Sequence, residues 1–213
     1  MLQAVFRWWG AFAIAAIIIG VPLTYYRMVY FEERRFRTVS PERFYRAGQL
    51  PEDSLRKKIR EFGIKTIINL QDENQDPKLA GHFFKKGTIT ESELCAQEGV
   101  KFIFLSWEGS RGLLPRSEAS ETNRPQVIDD FLKICDDPAN YPIMIHCKAG
   151  LHRTGALTAI YRMEYDGWSQ AEAMRELRAN GFGDTKCTIA NDYIYEYIYL
   201  YRPRDSAKKG SSR

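Results

Sequence analysis

Cys147 is followed six positions later by Arg153, in the string Ile143-Met-Ile-His146-Cys147-Lys148-Ala149-Gly150-Leu151-His152-Arg153-Thr154-Gly155. A thiolate is a strong nucleophile, and a guanidinium is a planar fork able to hold two oxygens of one phosphate. Pro142 bounds the apolar run before the cysteine, which reads as a buried strand, and Ala156 to Met163 reads as a buried helix. A loop entering a helix N-terminus aims several backbone N–H groups and the positive end of the helix dipole at one point. That point suits a tetrahedral dianion, and its field favours a thiolate over a thiol. The pattern is that of a loop that captures a phosphoryl group and attacks its phosphorus.

The spacing alone carries little weight, but Cys95, Cys135 and Cys187 meet Lys101, Tyr141 and Tyr193 at the same distance, so only Cys147 fits. The whole string, in its strand–loop–helix setting, resembles the signature His-Cys-x5-Arg-Ser/Thr of the cysteine-dependent protein-tyrosine and dual-specificity phosphatases. That resemblance implies Cys147 as nucleophile. It implies Arg153, with the loop amides over Lys148, Ala149, Gly150, Leu151 and His152, as the phosphate ligands. Thr154 is then the hydroxyl that eases departure of the sulfur in the second step, and His146 fixes the loop backbone. Lys148 and His152 add positive character. A lysine after the cysteine also occurs in family members acting on highly phosphorylated lipids or inositols, and in some acting on proteins. His152 before the arginine is similar to the fungal and plant atypical phosphatases, some of which hydrolyse inositol pyrophosphates. A zinc site built from His146, Cys147 and His152 lacks a second spaced pair and would compete with Arg153 for the same space, so no metal and no cofactor are expected.

After thiolate attack the leaving oxygen needs a proton, and a water must then be activated; one carboxyl poised over the site can do both. In the resembled family it is usually an aspartate on the loop after the strand preceding the long helix. Here that loop runs from Ser106 to Pro115 without an aspartate, so Glu108 is the candidate acid. Asp72 and Asp76 on the neighbouring loop are alternatives, and a phosphoanhydride, with its good leaving group, needs an acid less. Asn191 is a candidate for positioning the water.

The elements that must carry these residues alternate. Phe44 to Ala47 reads as a strand, Glu52 to Phe62 as an amphipathic helix closed by Gly63, and Thr66 to Leu70 as a strand. Glu91 to Glu98 reads as a helix, Val100 to Leu105 as a strand, and the stretch after Pro125 as a helix burying Val127, Ile128, Phe131, Leu132 and Cys135. Ser169 is an N-cap for Gln170 to Ala179 with Glu172 at the capping-box position, and Ile189 to Tyr201 is a last helix. The expected fold class is therefore α/β: a mostly parallel sheet of about four to five strands, helices on both faces, and the ligand at the carboxyl ends of the strands. Phe-Tyr-Arg-Ala-Gly-Gln at 44–49, then a helix, then Gly-Ile-Lys-Thr-Ile-Ile-Asn-Leu at 63–70 resembles the opening of the atypical dual-specificity phosphatases of bacteria, fungi and plants. The resemblance covers about 43–180.

At 213 residues, 44% apolar and 27% charged, the chain can bury one good core. A net charge of +4 without an interleaved basic–aromatic stripe excludes a nucleic-acid footprint but suits an anionic substrate or a membrane surface. Four cysteines without paired spacing argue against a disulfide framework, and a required thiolate favours a reducing compartment. Trp8 to Tyr26 carries no charge and has aromatics at both ends, which predicts an uncleaved single-pass transmembrane anchor. Arg27, Arg34, Arg35 and Arg37 follow it while Arg7 precedes it, placing the catalytic domain on the cytoplasmic side. The expected organisation is an anchor at 1–29, a juxtamembrane linker at 30–42, a catalytic domain at 43–202 and a disordered basic tail at 203–213. The expected activity is phosphomonoester hydrolysis through a phosphocysteine, on a phosphorylated protein. A phosphoinositide, lipid phosphate or inositol phosphate on the same fold is the alternative, as is a membrane-tethered pseudophosphatase that only binds phosphorylated partners.

Overall fold

The structure is a computed structural model that describes residues 2–26, 33–81, 87–107, 125–183 and 193–204. Five strands form one sheet in the order β1-β2-β5-β3-β4, with β1 Arg37–Ser40, β2 Phe44–Gly48, β3 Thr66–Asn69, β4 Lys101–Phe104 and β5 Ile143–Cys147. Only β1 and β2 are antiparallel; β2, β5, β3 and β4 run parallel. Parallel neighbours need long crossovers, and helices supply them. The helices among the described residues are α1 Leu2–Tyr26, α2 Glu52–Phe62, α3 Glu91–Gln97, α4 Gln126–Asp136, α5 Arg153–Tyr165, α6 Gln170–Ala179 and α7 Tyr193–Leu200.

Local signals set the helix ends. Gly63 adopts the left-handed conformation (φ 60°) and its N–H bonds the Ile59 carbonyl, stopping α2. Thr90 with Glu93, and Ser169 with Glu172, form reciprocal capping boxes that start α3 and α6. Alternation along the strands then feeds two cores. Phe44, Ile68, Ile143, Ile145 and Cys147 face α4, α5, α6 and α7, while Tyr45, Ala47, Ile67 and Met144 face α2 and α3. The sheet is thus covered on both faces, as expected. β5 lies between β2 and β3, and its last residue pairs with the last of β2, Gly48↔Cys147.

Two expectations need correction. Arg37–Ser40, inside the stretch expected as linker, forms β1, because its partner is β2 rather than any pattern of its own. The transmembrane helix is the other. Among the described residues no helix is long and apolar enough to cross a membrane. Pro22 lies inside α1. The anchor, the membrane as a partner and the single-pass localisation therefore find no support. α1 nonetheless leaves Trp8, Trp9, Phe12 and the isoleucines 17–19 exposed.

Candidate active site

Cys147 ends β5 as a free thiol, 5% exposed, and α5 begins at Arg153. No side chain caps that helix, whose first backbone bonds are Gly155 N–H to the Leu151 carbonyl and Ala156 N–H to that of His152. The N–H groups ahead of this ladder have no intrahelical partner and are available to an anion. Gly150 sets how close the loop lies to the sheet. Its φ is +69°, and a Cβ there would stand 2.5 Å from Gly48 N and 2.6 Å from Ala47 C and O. Only glycine permits both.

The loop carbonyls point the other way. Lys148 O accepts from Gln49 N–H (3.3 Å), Ala149 O from Arg35 Nη1 (3.1 Å) and Gly150 O from Arg46 Nη2 (2.8 Å). Arg46 is 3% exposed, and burial lowers its guanidinium to about 10 while Glu176 and Cys147 work against that fall.

Arg153 is held by one nitrogen. Its Nη1 donates to the Leu70 carbonyl (2.8 Å) and to Glu73 Oε2 (2.7 Å), with Asp72 Oδ2 at 3.9 Å. Among the described residues the other edge of the fork makes no bond, which leaves it for two oxygens of a ligand. Burial opposes the arginine's charge, but Glu73 leads the groups that raise its pKa above the ordinary arginine value. Burial likewise opposes ionisation of Glu73, and the bond from Arg153 outweighs it, so this carboxyl is held below 4.5. Thr154 is fully buried, and its Oγ1 has no partner among the described residues.

The remaining expected residues fall as follows. Lys148 is exposed on the loop. His152 packs edge-on to Phe182 at 5.7 Å between centroids. Burial, then Arg153 and Arg35, lower its pKa, so it does not supply the positive charge expected of it near neutrality. His146 faces the opposite core, with Nε2 3.0 Å from Oε1 of buried Glu91, rather than bonding the loop backbone through its ring. Asp76 accepts from Ser92 N–H (2.9 Å) and Oγ (2.6 Å) at the start of α3, away from the loop. Asp72 stands beside Arg153, and its Oδ1 accepts from Ser106 Oγ (2.9 Å) and Trp107 N–H (2.7 Å). Glu108 and Asn191 lie outside the described residues. Among the described residues no group of three or more His, Cys, Asp or Glu is gathered for a metal.

Arg35, Arg46 and Glu73 were not singled out by sequence reasoning. Each sits in a strand, linker or loop whose closeness to 147–153 only tertiary folding reveals. The one available signal was Arg46, a charge amid the otherwise apolar Phe44-Tyr45-Arg46-Ala47.

The tyrosine phosphatase family matches residues 30–208 of the chain. The protein OCA1 of Mycosarcoma maydis is 25% identical over 155 residues, which are 73% of this chain and 85% of OCA1. An inositol diphosphatase of Arabidopsis thaliana, DSP3, is 41% identical over a shorter stretch of 51 residues, 24% of this chain and 25% of DSP3. Among solved structures, the core catalytic domain of the PP-IP phosphatase SIW14 from S. cerevisiae shares the fold, with a TM-score of 0.58 at 22% identity over 86% of this chain and 93% of that one.

Proposed function

Because the chain belongs to the tyrosine phosphatase family, we propose that Cys147 attacks the phosphorus of a phosphomonoester held by Arg153 and the amides of 148–153. The P–O bond to the leaving group breaks as the S–P bond forms, and the leaving oxygen takes a proton. Water then attacks the phosphocysteine, releasing inorganic phosphate and the thiolate. Thr154 Oγ1, buried and unpartnered among the described residues, is the group we assign to the departing sulfur. Catalysis belongs to the 43–202 unit, with β1 and Arg204 packed on it. The observation that carries this reading is one thiol at a strand end facing a helix N-terminus, with Arg153 anchored through Nη1 alone.

The experiment is hydrolysis of para-nitrophenyl phosphate by the full chain. Cys147→Ser is expected to abolish it, and Arg153→Lys to lower kcat/KM roughly 10²- to 10³-fold. A Cys147→Ser protein as active as the wild type overturns the reading; a wild type that binds phosphate but never turns it over makes the chain a binding module.

A phosphoanhydride on an inositol phosphate is the second reading, favoured by two cations on the loop, Lys148 and Arg153, and by the commitment of Asp72 Oδ1 to Ser106 and Trp107. A phosphate leaving group departs without a proton. The Arabidopsis relative named an inositol diphosphatase supports it. A panel of phosphotyrosine peptides, phosphoinositides and inositol pyrophosphates, ranked by kcat/KM, decides between the two.

A further inference from the structure

Three successive peptide units of the 147–153 loop are pinned through their carbonyls from the side of β2, by Gln49 N–H, Arg35 and Arg46. A trans peptide points its C=O and its following N–H in opposite directions. Fixing the carbonyls of Lys148, Ala149 and Gly150 therefore fixes the direction of the amides of Ala149, Gly150 and Leu151.

The two arginines come at a cost that packing alone does not explain. Arg46 buries a guanidinium in a core position of β2, where an apolar side chain of similar volume would serve stability as well or better. Its charge stands near Glu176 and Cys147, which favour it, and near Arg37 and Arg162, which oppose it. Arg35 is held in place by a strained backbone. Arg34 and Arg35 both adopt left-handed conformations (φ 41° and 58°), and the Arg34 carbonyl accepts a 2.6 Å bond from Gly48 N–H, at the strand end that also receives Gly150. Non-glycine residues in that region cost about 1–3 kcal/mol each and persist where the surroundings over-determine them.

We propose that Arg46 and Arg35 are positioning residues of the phosphate loop, a two-arginine brace that holds its carbonyls outward so that the amides converge on the bound tetrahedral anion. This rests on the reading of 147–153 as the phosphate loop. Neither residue touches the substrate; each acts by setting peptide planes before the anion arrives, which is how a preorganised oxyanion site avoids reorganisation during the reaction.

The test uses the full chain, tungstate binding by calorimetry, and para-nitrophenyl phosphate turnover, with near-ultraviolet circular dichroism to establish folding. Arg46→Met is expected to weaken tungstate binding and lower kcat/KM by roughly 10- to 100-fold. Arg46→Lys, which restores one charged donor, recovers part of both losses. Arg35→Gln, at a partly buried position and expected to fold, weakens tungstate about 3- to 10-fold. Folded Arg46→Lys and Arg35→Gln proteins that both bind tungstate within twofold of wild type overturn the brace, whatever Arg46→Met does to stability. A wild type that neither binds tungstate nor hydrolyses the ester overturns the phosphate-loop reading, and the brace falls with it; wild-type binding with unaffected variants sinks the brace alone.

Discussion

At Asp72 a single carboxylate joins two loops. One oxygen accepts from Ser106 Oγ and Trp107 N–H, and the other lies 3.9 Å from the Arg153 guanidinium. These contacts hold the start of the loop after β4 against the phosphate-binding arginine. Asp72→Asn keeps an oxygen for the Trp107 amide, so the plot of log rate against leaving-group pKa should keep its slope while the rate falls modestly. A slope that steepens in the variant would assign Asp72 the proton that the sequence suggested for Glu108. Arg153 follows the same logic of divided labour. Its Nη1 belongs to Leu70 and Glu73, and its other edge to the ligand.

The element that matters most is the β5–loop–α5 unit, and its tightest point is Gly150. A Cβ at Gly150 collides with the backbone of Ala47 and Gly48 in a conformation that L side chains rarely adopt. Gly150→Ala must lift the loop off β2, breaking the Arg46 and Arg35 bonds together. The expected result is a loss of roughly 1–3 kcal/mol in unfolding free energy, with phosphate inhibition of ester hydrolysis weakened more than stability alone predicts. Much of this unit was legible beforehand. α2, α4 and α6 match their expected spans because caps and apolar spacing are local signals, and the Cys147–Arg153 string places itself. What stayed hidden depends on distant partners. β1 has four residues and no alternation of its own, so only β2 makes it a strand. Arg46 is a lone charge in a short strand until the loop a hundred residues on closes over it. His152 reads as a cation until burial and two arginines neutralise it. Trp8 to Tyr26 reads as a span from its uncharged composition, yet among the described residues no helix is long and apolar enough to cross a membrane.

Across the molecule, the segment after α7 is tied to the core by charge. Arg204 donates to both oxygens of Asp136 (2.6 and 2.8 Å) and to Glu164 Oε1 (2.9 Å), joining α4, α5 and the segment after α7. Tyr201 also donates to Glu164, and Tyr165 to Asp136 (2.7 Å). Burial alone would raise the pKa of Glu164, but the bonds from Tyr201 and Arg204 hold it below 4.5. A depressed folded-state value means the carboxylate's contribution is present above 4.5 and lost as pH falls through the folded value. Arg204→Met removes the guanidinium from buried Glu164 while the Tyr201 hydroxyl and the residue-204 amide still donate to it, so it should cost about 3 kcal/mol at neutral pH. Urea unfolding across a pH series checks this: the gap between variant and wild type should narrow as pH falls, because the variant's carboxyl, without the guanidinium, takes up its proton at a higher pH than the wild type's. A gap that stays constant with pH would mean that Arg204 contributes through packing alone. The nucleophile, meanwhile, sits on the strand with a parallel neighbour on either side, β2 and β3, and helices over both faces. Peripheral elements can fray while that strand stays paired, so catalytic power is not surrendered piecemeal: it persists until the sheet itself comes apart, and heat inactivation and global melting become one event.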